Sequence, residues 1–191
     1  MSEELMLDGG QANEIKLALR REGPWTNEKI KMLCERRGLL GQVLEVLDGR
    51  SEIKPIDLVV DLDADPFVPE GWSVVSHTKG GQWKYDATKV SLYLSEGQKD
   101  GKWIVGTKLQ EELKAQPTAN ANLLEFYLAH PHLIPEDWKG KYTFFRGTSY
   151  RRADGSLCVR YLFWVGARWA WGCLWLGHDW YDRNPAVLLG K

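Results

Sequence analysis

Between residues 142 and 182 the chain is made of runs of β-branched and aromatic residues that fit a pleated surface, separated by glycine-containing breaks. Runs 142–150, 157–165 and 169–176 have the composition of strands. Ala153-Asp154-Gly155 is a hairpin signal, because glycine takes a positive φ without steric cost. Gly166-Ala167-Arg168 and Gly177-His178-Asp179 are two further breaks. The pattern predicts an antiparallel meander of at least three strands. In its last run Trp169, Trp171, Cys173 and Trp175 share one face, and Ala170, Gly172, Leu174 and Leu176 share the other. Five of the ten tryptophans fall in 142–182. Each buried Trp removes roughly 150–250 Å² from water, so five left exposed would approach about 1000 Å². The largest apolar patch of a typical monomer is about 300–600 Å², so most of these rings are expected in the core or against a partner.

Upstream the period changes. Residues 11–21 place Ile15, Leu17 and Leu19 among charges, a short amphipathic helix stopped by Gly23-Pro24. Thr26 is a plausible N-cap for a helix to Arg37 with Ile30, Leu33 and Cys34 on its apolar stripe. A third helix, 39–47, ends at Asp48-Gly49. Three short helices invite a helix-turn-helix comparison. The third carries Glu45 and has no basic residue before Arg50, whereas a recognition helix needs donors for base edges and phosphates, so a plain helical cap is expected. Residues 53–62 read as extended. Residues 72–77 and 82–85 read as two strands joined through Thr78-Lys79-Gly80-Gly81. Asp86 caps a turn into a strand over 89–94, and 95–102 is a polar surface loop. Thr107 and Gln110 have capping-box spacing for a helix through Leu109, Leu113 and Ala115 that stops before Pro117. A second helix begins at Asn120 or Ala121, turns Leu123, Leu124, Tyr127 and Leu128 inward and ends before Pro131. The fold class expected is α+β: an N-terminal helical segment, 1–55, then a mixed domain, 56–191, ending in the Trp-rich meander 142–182.

With 191 residues, 43% hydrophobic and 27% charged, the composition is that of an ordinary soluble globular protein. Glu3, Glu4 and Asp8 occupy the start where a signal peptide would be apolar, and no run is long enough to cross a bilayer. Cys34, Cys158 and Cys173 are odd in number and far apart, so neither a disulfide framework nor a zinc-knuckle spacing exists. The expectation is a cytoplasmic protein, not membrane-bound, with Cys158 and Cys173 inert on buried strands. Charge is unevenly placed. Residues 56–140 carry 8 Lys or Arg against 13 Asp or Glu, and residues 141–191 carry 8 against 3. Residues 56–140 contain no arginine, while the tail holds Arg146, Arg151, Arg152, Arg160, Arg168 and Arg183. Two accounts compete. Either the acidic and basic portions face each other within the fold, or arginines 146, 151, 152, 160 and 168 join Trp169, Trp171 and Trp175 in a surface for an anionic or planar ligand.

Signals for catalysis are weak. Asp61, Asp63 and Asp65 follow an apolar strand, as do the magnesium-binding carboxylates of the haloacid-dehalogenase phosphatases. Ala64 breaks the motif and no acidic pair follows downstream. Pro66 and Trp72 stand where a calcium loop needs Gly and Glu. His130 and His132 flank Pro131 with no third imidazole nearby, and a helix C-terminus attracts histidine through its dipole. His77 and His178 stand alone, and no nucleophile elbow or glycine-rich phosphate loop is present. No catalytic residue, metal ligand or cofactor is assigned, and an enzyme is the less favoured class.

Residues 63–188 resemble a family of uncharacterised bacterial hypothetical proteins. The likeness lies in "DADPFVPEGW", "KGGQWKYD" leading to "LYLS", "NANLLEFYLAHPHLIPEDWKGKY", "FFRGTSYRRADGSLCVRYLFW" and "RWAWGCLWLGHDW". It implies a shared domain to which the helices up to about Pro55 are a variable attachment, and it carries over no activity. The function favoured by the residues is a non-enzymatic binding module whose Trp/Arg sheet engages a protein partner, Trp, Tyr and Arg being the residues most enriched at interface hot spots. The alternatives are single-stranded nucleic-acid binding by the same sheet and a small metal-dependent hydrolase or transferase using Asp61, Asp63 or His130.

Overall fold

The computed structural model describes residues 5–54 and 58–190. The chain divides into two compact units, Met1–Ile56 and Asp57–Lys191. In the first, α1 (Gly9–Arg21) starts two residues ahead of the sequence-based boundary because Asp8 caps it. The Asp8 carboxylate accepts the Gln11 backbone N–H at 2.7 Å, and the Gln11 side chain accepts the Asp8 N–H at 3.1 Å. Thr26 caps α2 (Asn27–Glu35) as expected, accepting from Lys29 N at 3.2 Å, and α3 (Leu39–Leu47) follows. None of the three helices contains a fully buried residue.

The second unit contains, in order, β1 (Val59–Asp61), β2 (Ser73–His77), β3 (Gln82–Lys84), β4 (Val90–Tyr93), β5 (Ile104–Val105), α4 (Gly106–Glu112), α5 (Ala121–Ala129), β6 (Thr143–Phe144), β7 (Thr148–Arg151), β8 (Leu157–Val165), β9 (Arg168–Trp175), β10 (Asp179–Trp180) and β11 (Ala186–Leu189). Residues 55–57 of the expected 53–62 extended segment lie outside the described residues, and β1 realises its end.

β8 is the axis of a seven-stranded mixed sheet. One edge of β8 carries β9 along its whole length. The other carries β7 opposite its N-terminal half and β6 opposite its C-terminal half, all antiparallel. Beyond this fork β7 pairs with β2, while β6 pairs in parallel with β11, which in turn holds β4 antiparallel. Two short pairs, β1–β3 and β5–β10, flank the main sheet.

Two cores cover opposite faces. Val159, Phe144 and Ala186 pack with Leu109, Leu113, Leu176 and Trp180 beneath α4. Leu162, Phe145 and Val187 have the opposite parity on the same three strands and pack with Leu123, Leu124, Tyr127 and Trp138 around α5. The inward set expected for α5 is therefore buried, apart from Leu128, which is partly covered. Asn120 caps that helix, accepting from Asn122 N at 3.1 Å.

Four sequence-based expectations change. First, 142–150 is two strands, because the chain kinks at Phe145–Gly147, where a Cβ on Gly147 would lie 2.8 Å from Thr118 O and 2.9 Å from Ala119 O. Second, the strands around residues 78–81 do not pair with each other: β2 joins β7 and β3 joins β1. Third, no capping box forms at Thr107. α4 begins two residues earlier, after Val105, and the Gln110 side chain is engaged by Arg146 instead. Fourth, the 95–102 loop anchors inside. Gln98 is fully buried and donates to Tyr181 O at 2.9 Å and Asn184 O at 3.0 Å, tying the loop to the 181–184 turn. The β8–β9 hairpin forms as read. Its Gly166-Ala167 turn has φ values of 55° and 63°, the positive pair that matches the right-handed strand twist.

Candidate functional site

The tail arginines do not share one surface. Arg146 and Arg160 are each only 1% exposed, correcting their expected place in an open Trp/Arg face, whereas Arg151, Arg152 and Arg168 are exposed. Arg160 emerges from β8 on the side of α5. Its guanidinium lies 4.1 Å from the Trp171 ring centroid and 5.1 Å from that of Phe67, and its Nη1 is 2.6 Å from Glu125 Oε1. Trp171 and Phe67 meet edge to face at 6.3 Å. Arg160 therefore stitches α5, the 67 loop and β9 together as a buried cation paired with an anion and two rings. Among the described residues it is the one tail arginine that pairs with an acidic side chain of 56–140, and Lys141 pairs with Asp137 of the same portion at 3.6 Å.

Arg146 sits at the kink between β6 and β7 on the other face of the sheet. Its Nε donates to Gln110 Oε1 at 3.1 Å and its Nη2 to Gly106 O at 2.7 Å, and its plane lies 4.3 Å from the Trp180 ring. No carboxylate pairs with it among the described residues. Burial without a counter-charge pushes its pKa down to about 9.

The β8–β9 hairpin supplies the exposed aromatic surface. Its register places Trp164 beside Trp169, Leu162 beside Trp171 and Cys158 beside Trp175. Trp164, Trp171 and Trp175 are 36%, 37% and 51% exposed, and Trp169 is half-buried against Trp164 at 5.4 Å. The ladder is thus neither core nor free surface. Trp171→Ala should accordingly cost less than a core Trp, about 1–2 kcal/mol by urea titration.

The hydrogen-bond phase of the strand decides where its backbone points. Leu176 N donates to Leu157 O at 2.8 Å, so β9 residues of even number bond to β8. The amides and carbonyls of Trp169, Trp171 and Cys173 and the amide of Trp175 therefore point to the far edge, where no strand of this unit pairs among the described residues, while the Trp175 carbonyl accepts from His178 N at 3.1 Å. The edge carries one charge, Arg168 at its start, and none of the lysines or prolines that blunt an edge. At the hairpin tip a cavity of about 350 Å³ opens between Leu128, Pro131, Glu136, Trp164, Arg168 and Trp169. Lys139 Nζ lies 4.1 Å from the Trp164 ring centroid.

The remaining candidates make local contacts. Asp61 Oδ1 accepts from the Asp63 and Ala64 amides, and Asp63 Oδ1 accepts from the Gly80 and Gly81 amides at 2.9 Å, which holds the Asp63 carboxyl below its usual range. His130 packs on Phe126 at 4.7 Å between ring centroids. Among the described residues no three His, Cys, Asp or Glu side chains gather as a metal site, and no helix is long and apolar enough to cross a membrane. Cys158 is buried as expected, whereas Cys173 is only half-buried.

Trp164, Lys139, Phe67 and Glu125 belong to the site and were absent from the sequence-based set. Trp164 was reachable by counting back across the two-residue turn to Trp169. Phe67 and Glu125 carried no local signal. Comparison with family models, with curated proteins and with solved structures returns no match.

Proposed function

We propose that the protein is a non-catalytic binding module that takes up an extended segment of a protein partner along β9, an apolar side chain of that segment filling the cavity at the hairpin tip. The observation that carries this reading is the eight-residue β9 edge, whose outward amides and carbonyls at Trp169, Trp171 and Cys173, with the Trp175 amide, have no partner strand within the unit among the described residues. Adding a strand to such an edge supplies main-chain hydrogen bonds, and rings beside it supply specificity. Half-exposed tryptophans are the side chains most able to contribute 2 kcal/mol or more at an interface. Nucleic-acid binding by the same sheet draws less support, since burial of Arg146 and Arg160 leaves Arg151, Arg152 and Arg168 of the five arginines for phosphates.

Hydrogen exchange gives the test. In the free protein the Trp169, Trp171, Cys173 and Trp175 amides should exchange fast while those of Ala170, Gly172 and Leu174 are protected. A partner captured from lysate should slow the first set, and Trp175→Lys, which places a charge on the edge, should abolish capture while leaving the fold intact. Capture that survives Trp175→Lys with the edge amides still exchanging would sink the proposal. Salt-sensitive Trp quenching by short single-stranded DNA or RNA, without slowed edge amides, would replace the protein partner with nucleic acid.

A further inference from the structure

A second site lies on the opposite face of the sheet, between α4 and the β2–β7 pair. A cavity of about 430 Å³ opens there, lined by Ser76, Thr78, Thr107, Gln110, Lys114, Arg146 and Ser149 among others. Three leucines, Leu113, Leu157 and Leu176, give it an apolar wall. Its charged lining is Arg146 and Lys114 against Glu111, and Glu111 is already committed to Lys114 at 2.6 Å.

Arg146 is the informative member. It is 1% exposed, stacks on Trp180 and spends Nε and Nη2 on Gln110 and Gly106, yet its Nη1 has no hydrogen-bond partner. A buried guanidinium with an unused nitrogen and no carboxylate is costly to hold, because burial penalises the charge and nothing nearby compensates it. The hydroxyls beside it are also incompletely used. Ser76 Oγ and Ser149 Oγ bond to each other at 2.7 Å, which commits one of their two protons and leaves the other to donate elsewhere.

We propose that this cavity binds a small organic anion, its carboxylate or phosphate group held by Arg146 with the Ser76–Ser149 hydroxyls and Lys114, and its apolar body against Leu113, Leu157 and Leu176. The anion gives Arg146 the counter-charge that the protein withholds. The volume exceeds what a bare ion fills and lies in the range of small-molecule sites. This site is independent of the β9 edge, and neither depends on the other's being correct.

The test uses the intact protein at constant ionic strength, with phenyl phosphate and benzoate as probes and neutral benzamide as the control. Isothermal titration, with thermal melting in parallel, should show saturable binding and a raised melting temperature for phenyl phosphate, benzoate or both, the preferred one identifying the anionic group. Benzamide should bind at least about tenfold more weakly, charge-assisted hydrogen bonds being roughly twice as strong as neutral ones. Arg146→Met should abolish binding. Because that variant removes a buried residue on which the fold packs, Lys114→Glu on the exposed rim and Ser149→Ala carry the test as well, each expected to weaken binding severalfold. Absence of saturable binding by both anions, benzamide binding as well as benzoate, or undiminished binding in both Lys114→Glu and Ser149→Ala would overturn the proposal.

Discussion

Trp180→Ala should lower the stability of the 57–191 unit by about 3–5 kcal/mol, the range for removing a fully buried Trp. Its ring is 0% exposed and lies 4.1 Å from the Phe144 ring centroid and 4.3 Å from the Arg146 guanidinium. Gly106 is pressed so closely against it that a Cβ there would fall 2.2 Å from Trp180 Nε1, so the site has no slack on that side. The substitution removes packing between the α4 face of the sheet and the β5–β10 pair, and it strips Arg146 of its aromatic partner. In a unit of this size each kcal/mol is worth about 2–4 °C, so the melting temperature should fall by roughly 6–20 °C. Chemical denaturation should show a lower midpoint at unchanged slope. A loss under about 1 kcal/mol would mean that Trp180 is not packed as described.

Gly147→Ala should destabilise by about 1–3 kcal/mol, as overpacking does, and Gly147→Val by more. The atoms that a Cβ would meet, Thr118 O and Ala119 O, are backbone and cannot rotate away. The same residue is tied on both sides: its N–H donates to Ala119 O at 2.9 Å, and its carbonyl accepts from Thr78 N at 2.7 Å. The substitution therefore pushes the 118–119 segment away from the kink, and Thr78 and Thr118 line the Arg146 cavity. Anion binding should weaken along with stability. Comparing the melting curves of the two variants with the anion affinity of whichever folds separates these effects. Stability and affinity both unchanged in Gly147→Ala would show that the kink is softer than its contacts indicate.

Much of the fold was legible because it rests on local signals. Thr26 and Asp86 cap the turns where the sequence places them, since a short polar side chain can reach an amide two or three residues ahead whatever the tertiary context. The β8–β9 hairpin and the division of its faces followed from period two and from a turn at Gly166. What failed was non-local. Nothing in the run 142–150 says that the 118–119 backbone will press against Gly147 and break it in two. The spacing of Thr107 and Gln110 matched a capping box, but a buried arginine 36 residues away claimed the glutamine. The same limit governed the site. Counting arginines located charge but not depth, and the two that point inward, Arg146 and Arg160, are told from Arg151 and Arg152 only by what packs over them.

β4 reaches the sheet only through β11, because β11 stands between it and β6. The two-residue turn at Gly166-Ala167 lets β8 and β9 zip locally, whereas closing Tyr93 onto Ala186 must span nearly half of the sequence. The entropy of that closure cannot be offset until β6 is already docked on β8 to receive β11. Assembly should therefore be ordered, with the β8–β9 hairpin as seed and β11 as the keystone. A chain halted before β11 docks would expose β6 and β4 as two further raw edges, making the incomplete molecule, rather than the finished one, the form most prone to aggregate.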